Sequence, residues 1–120
     1  MKNLAPEIFR QRLLIEGYYS IAVGEKDIDL YLRKVVEHLS LRMYSDPVIY
    51  ATTPGMGKAE NSGFDAFVPL IDSGISVYIW SQAQFFSVVI YSCKGFDENA
   101  AIEFTRAFFR ISGDLAHMSI

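Results

Sequence analysis

The chain has 120 residues, 51% of them hydrophobic and 21% charged, with a formal net charge of −3 and one cysteine. That length suits one domain, spanning 1–120, built on one core, and the composition excludes a disordered chain. The net negative charge and the absence of any basic run speak against a nucleic-acid partner, and a lone cysteine excludes an intrachain disulfide or a cysteine-rich zinc site.

The opening segment MKNLAPEIFRQR has no continuous apolar stretch of the kind a signal peptide carries. No apolar run approaches membrane-spanning length. The expectation is a cytoplasmic protein with no membrane partner. Arg12 to Tyr19 reads as the first strand. Gly24-Glu25-Lys26-Asp27 makes a turn in which Asp27 is the candidate helix N-cap. Ile28, Leu32, Val35, Val36 and Leu39 then recur at helical spacing, which predicts an amphipathic helix from Asp27 to about Arg42. The acidic trio Glu25, Asp27 and Asp29 belongs to the solvated start of that helix.

Asp46-Pro47 is a break, because the residue before proline is pushed out of the helical region. Val48 to Thr52 is a short strand, and Thr53 to Gly63 the longest irregular piece and the best candidate for a mobile loop. Within it, Gly55-Met56-Gly57-Lys58 invites a phosphate-loop reading. That reading fails, since Thr52 stands where the first glycine is required and Ala59 where a magnesium-binding hydroxyl is required. With no other ligand spacing in the chain, no metal site is expected.

The stretch from Phe64 to Gly95 reads as three strands, Phe64 to Ile71, Gly74 to Trp80 and Phe85 to Cys93. They are rich in β-branched and aromatic residues and joined by Asp-Ser-Gly and Ser-Gln-Ala-Gln turns. Asp97 can cap a second helix running to about Ile111, and Leu115 to Ile120 closes the chain as a strand. The order βα-ββββ-αβ predicts an α+β two-layer sandwich, a mostly antiparallel sheet with two helices on one face. Tyr78, Trp80, Phe85, Phe86 and Tyr91 make both faces of that sheet too apolar for water alone, which predicts a homo-oligomer covering one of them.

The central stretch also resembles the bacterial S-adenosylmethionine decarboxylases, which carry a segment like ESHISIHTYPE followed by a hydrophobic strand ending in FTCG. LIDSGISVYIWSQ lies over the first and VVIYSCKG over the second, and RLLIEGYY near the start looks like that family's opening strand. The resemblance puts Ser73 on the self-processing serine, Cys93 on the catalytic cysteine that donates a proton, and Asp72 on the glutamate before the serine. Trp80 falls on an aromatic position, Asp65 on a serine that assists processing, and Gln82 on the glutamate that binds the ligand's ribose. Both motif histidines are missing, replaced by Gly74 and Tyr78.

In that family the serine attacks the carbonyl before it and the resulting ester eliminates to a pyruvoyl group, an electron sink for decarboxylation. A phenol ordinarily titrates near about 10, so Tyr78 is a poor substitute base for the elimination. Asp-Ser-Gly is moreover an ordinary turn sequence, and a strand-end cysteine is commonly just a small hydrophobe. His38 and His117 replace neither motif histidine in sequence.

The resemblance therefore implies a divergent relative that binds S-adenosylmethionine or a related ligand without standard pyruvoyl processing. Ser73, Cys93 and Tyr78 are its candidate catalytic residues. Asp65, Gln82, Phe64 and Trp80 are candidates for binding, the aromatic rings being suited to an adenine or a sulfonium. Three alternatives stand beside it. One is an active pyruvoyl decarboxylase of S-adenosylmethionine or a basic amino acid in polyamine (spermidine) biosynthesis, with its pyruvoyl group made from Ser73. Another is a pyruvoyl-free lyase or hydrolase that cleaves S-adenosylmethionine. The last is a non-catalytic regulatory paralogue.

Overall fold

A computed structural model describes residues 1–52 and 57–120. The glycine-rich phosphate-loop reading and the mobile-loop expectation therefore fall in part on 53–56, outside the described residues. The chain forms β1 (Gln11–Tyr18), α1 (Glu25–His38), β2 (Val48–Ala51), β3 (Gly63–Leu70), β4 (Ser73–Trp80), β5 (Phe85–Ser92), α2 (Glu98–Phe108) and β6 (Ala116–Ser119). A single sheet has the strand order β2-β3-β4-β5-β1-β6, with every neighbouring pair antiparallel. This is the α+β sandwich that the element order predicts.

Strand alternation decides what each face does. Leu13 and Ile15 of β1, Phe86, Val88 and Ile90 of β5, and Ile75, Val77 and Ile79 of β4 pair in register and are buried against the helices. From α1 come Ile28, Tyr31, Leu32 and Val35, and from α2 Ala101 and Ile102, all buried. Aromatic rings fasten the layers together. Phe109 stacks on Phe86 with centroids 4.5 Å apart, and Tyr31 meets Phe109 at 5.0 Å. No helix is long and apolar enough to cross a membrane among the described residues.

The helix boundaries differ from the sequence reading. Gly24, not Asp27, is the N-cap of α1; Asp27 lies one turn in, and its carboxylate accepts from the Gly24 amide at 2.8 Å. The helix stops at His38 rather than Arg42, because Ser40 turns to φ 58 and the amide of Leu41 reaches back to the Val36 carbonyl at 2.9 Å. α2 ends in the same way, before Ile111. Arg110 takes φ 51, and the Ile111 amide bonds to the Arg106 carbonyl at 3.0 Å. Both ends are left-handed caps closed by a buried Leu41 or Ile111, with serine and arginine where glycine is the usual signal. At the other end of α2, Asp97 caps as expected, accepting from the Ala100 amide at 3.1 Å.

Tyr31 is the one large polar side chain at the centre of the core. Its hydroxyl shares a 2.8 Å hydrogen bond with Thr105, whose own hydroxyl donates to the Ala101 carbonyl at 2.8 Å. Burial pushes the phenol well above its ordinary 10.0, with the Thr105 bond opposing. Between the unfolded and folded values the native state holds a proton that the unfolded chain has lost, so stability falls as pH rises above about 10. Tyr31→Phe is expected to lose about 1 kcal/mol at neutral pH. It should also make the decline in urea midpoint between pH 9.5 and 11 shallower than in the parent, measured by circular dichroism.

Candidate functional site

The tip of the β3–β4 hairpin is where chemistry-bearing residues meet. Only Ile71 and Asp72 separate the strands, and neither takes a positive φ, although tight two-residue hairpin turns favour one. The distortion is passed to Ser73, whose φ of 137 lies in a region that side chains avoid. Two hydrogen bonds hold the tip. The Ile71 amide donates to Arg42 O at 3.0 Å, and the Cys93 amide donates to Asp72 O at 2.8 Å.

The second of these bonds brings the end of β5 alongside. Ser92 is buried, its hydroxyl donating to Lys94 O at 2.6 Å and accepting from Lys94 N at 2.9 Å, which closes a bend and leaves Cys93 exposed at its crest. Lys94 Nζ in turn donates to Ser40 O at 3.0 Å, tying the bend to the end of α1. The outcome is a 3.4 Å hydrogen bond between Ser73 Oγ and Cys93 Sγ, which either group can donate. Two residues twenty positions apart in sequence are thus in contact, as their register with the resembling family implies.

The remaining candidates are placed elsewhere. Asp65 and Tyr78 are directly opposite each other on β3 and β4, on the sheet face away from the helices. With Val48, Tyr50, Phe67 and Ser76 they line a depression of about 290 Å³. Tyr78 is five strand residues from Ser73, roughly 17 Å at a strand's rise. Trp80 is on the same open face but at the far end of β4, its ring 5.4 Å from that of Phe85. Gln82 is exposed in the β4–β5 turn beyond it. Phe64 lies on the opposite, helical face, opposite Ile79 and packed on the core. One chain therefore joins Ser73 to Cys93 and Asp65 to Tyr78, and leaves Gln82, Trp80 and Phe64 apart from both pairs.

Position 74 is occupied from across the sheet. A Cβ on Gly74 would be 2.5 Å from the Phe67 ring, so the ring covers the space in which a side chain at 74 would begin. No imidazole takes over among the described residues. His38 stacks on Phe104 with centroids 5.0 Å apart in the helical layer, and His117 is exposed on the edge strand β6.

Glu16 and Ser87, which motif reading passed over, complete a polar row across the open face. Glu16 of β1 is opposite Ser87 of β5, Ser87 opposite Tyr78, and Tyr78 opposite Asp65. The Ser87 hydroxyl donates to Glu16 Oε2 at 2.9 Å. The outward alternation Leu14, Glu16, Tyr18 was visible in β1. Which outward residues of other strands stand beside Glu16 depends on pairing register, which one strand's sequence does not contain.

Comparison with solved structures finds chains of the same fold. The crystal structure of the adenosylmethionine decarboxylase from Aquifex aeolicus superposes with a TM-score of 0.72, covering 94% of this chain and 89% of that one at 18% sequence identity. The fold is S-adenosylmethionine decarboxylase-like. At that identity the likeness concerns the backbone arrangement. No protein-family model matches the sequence, and no curated protein matches it either.

The strain at Ser73 can be measured directly. Ser73→Gly is expected to raise unfolding stability by about 1 kcal/mol, because glycine tolerates that φ without penalty. Ser73→Ala, which keeps a Cβ, should give no such gain in the same urea titration.

Proposed function

We propose that this chain binds S-adenosylmethionine or a closely related sulfonium ligand and has given up the self-processing that makes a pyruvoyl group. The observation that carries the reading is the Ser73–Cys93 contact at 3.4 Å, on an S-adenosylmethionine decarboxylase-like fold and at the two positions where the resemblance puts the processing serine and the catalytic cysteine. A pyruvoyl group would supply an electron sink for decarboxylation. Its formation requires a base at the serine α-carbon, and the residues around Ser73 do not fit that need. Phe67 covers position 74, and Tyr78 is a phenol further along β4.

One observation favours the alternative of a processing enzyme. The carbonyl that Ser73 would attack is that of Asp72, and the Cys93 amide already donates to it, a contact that would stabilise developing negative charge there. Together with the strained φ, this resembles the first half of self-processing without the means to complete it. A pyruvoyl-free cleavage of the sulfonium would instead draw on Asp65 and Tyr78 to position the ligand.

The same reading includes a homodimer or higher homo-oligomer formed over the open sheet face. Tyr18, Tyr50, Phe67, Tyr78, Tyr91 and Met118 are exposed there, a set of large side chains that a second copy would cover. Arg12, facing the same side, has a buried Nε with no hydrogen-bond partner, while Asp65 takes part in none of the ion pairs among the described residues. A self-complementary pairing that sets the outer guanidinium nitrogens of Arg12 against the partner's Asp65 would pair the two charges, the Nε staying covered by its own chain. An exposed free thiol suits a reducing cytoplasm.

Isothermal titration tests the ligand assignment. S-adenosylmethionine should bind the parent protein saturably, and Tyr78→Ala should weaken binding about ten-fold, the loss of one well-placed ring contact. Absence of saturable heat with the parent would overturn the assignment.

A further inference from the structure

The segment before β1, residues 1–10, folds into a hook of its own. Ala5 to Ile8 is a turn closed by the Ile8 amide on the Ala5 carbonyl at 3.0 Å, with Pro6 where its fixed φ suits such a turn. Arg10 folds back over it. The guanidinium donates to Ala5 O at 3.0 Å, to Ile8 O at 3.2 Å and to Asn3 Oδ1 at 2.7 Å. Among the described residues, no hydrogen bond joins residues 1–9 to any position beyond Arg10. Contact with the domain comes through Phe9, whose Cζ is 4.0 Å from where a Cβ on Gly95 would sit.

This hook holds apolar side chains outward. Leu4 is 84% exposed, Ile8 51% and Phe9 56%. Single exposed hydrophobics are ordinary. Three on one turn fastened by polar contacts are a different matter, because ordering the turn costs conformational entropy that little burial within the chain offsets.

A matching patch lies at the same end of the domain. Gln11, Ser92 and Ser73 stand in one row of the sheet, so the hook leaves β1 at the end where the β3–β4 tip lies. There Met43 bridges Leu70, the Tyr44 amide donates to Pro69 O at 2.8 Å, and the Ile71 amide to Arg42 O at 3.0 Å. Leu70 is buried in the core, while Ile71, Tyr44 and Arg42 alternate outward and are exposed. Charge is matched as well as apolar surface. The hook carries Glu7 and the patch Arg42, and neither enters an ion pair among the described residues.

We infer that a second copy of this chain fills the patch, the hook of each protomer seating Leu4 and Ile8 on its partner's Tyr44 and Ile71, with Glu7 against the partner's Arg42. Hook and tip share one end of the domain, so a single two-fold axis there closes both contacts at once. The tip adjoins Cys93 through the bond from its amide to Asp72 O, so the seated hook covers the exposed thiol and its contact with Ser73.

Sedimentation equilibrium of the whole protein tests this, together with the rate at which iodoacetamide alkylates Cys93, read by mass spectrometry. The parent should self-associate, and alkylation should slow as its concentration rises. Glu7→Arg and Arg42→Glu change exposed positions and should keep the parent's circular dichroism. Each should weaken association about ten-fold or more, since like charges then face one another in both contacts. An equimolar mixture of the two variants should associate as tightly as the parent, because every hook-to-tip contact in the mixed dimer again joins opposite charges.

A monomeric parent, single variants that associate as the parent does, or a mixture no tighter than its components would each overturn the inference. So would protection of Cys93 that does not vary with concentration, which would seat the hook on its own tip. S-adenosylmethionine is absent throughout, and neither Glu7 nor Arg42 belongs to a strand of the sheet. Failure here therefore leaves the proposed ligand and the open-face contact standing, and failure there leaves this contact standing.

Discussion

The hydrogen bond from the Cys93 amide to the Asp72 carbonyl is the constraint around which the candidate site is arranged. It joins the end of β5 to the tip of a hairpin made by β3 and β4, while the Arg42 carbonyl holds the tip from the other side. A hairpin free to relax would rotate Ser73 out of its unfavourable φ. Held at Ile71 and at Asp72, it cannot, and the strain persists because the surroundings over-determine it. The thiol–hydroxyl contact follows from this clamp rather than causing it. A hydrogen bond of 3.4 Å between sulfur and oxygen is too weak to bend a backbone by itself.

The two faces of the sheet divide the labour. The face under α1 and α2 is filled by aliphatic side chains and the Phe86–Phe109 stack. It leaves little scope for chemistry. The open face carries rings, carboxylates and hydroxyls in register. Asp65, Tyr78, Ser87 and Glu16 form a row whose ends both reach concave surface, the depression beside Asp65 and the cleft beside Glu16. A further cleft of about 710 Å³ at the start of α1 is lined by none of the residues discussed for function. Its walls are largely the acidic first turn, which complements the helix dipole.

Much of this was legible in the sequence because the signals were local. Alternation in β3, β4 and β5 fixed the strands to within a residue, and the Asp97 cap marked a real boundary, whereas Pro47 precedes β2 and does not end α1, which has already stopped at His38. Helix ends were not legible. Ser40 and Arg110 adopt left-handed conformations that their residue types do not announce, and what compels them is the burial of Leu41 and Ile111 one residue later. The site shows the same contrast. Ser73 and Cys93 could be paired from motif register, whereas Phe64 was expected to contact ligand and instead faces the core, one residue out of phase with Asp65. Glu16 and Ser87 belong to no sequence motif, and a row across four strands exists only once pairing is known. The Phe67 ring over Gly74 is likewise a cross-strand fact.

The central claim is that Ser73 remains a serine in an uncut chain, with the clamp in place but the base for elimination absent. Intact mass spectrometry of freshly purified protein, repeated after prolonged incubation at 37 °C, tests it most directly. The expected result is a single species at the full 13.6 kDa throughout. Two fragments divided between Asp72 and Ser73, the second beginning with a pyruvoyl group, would contradict it.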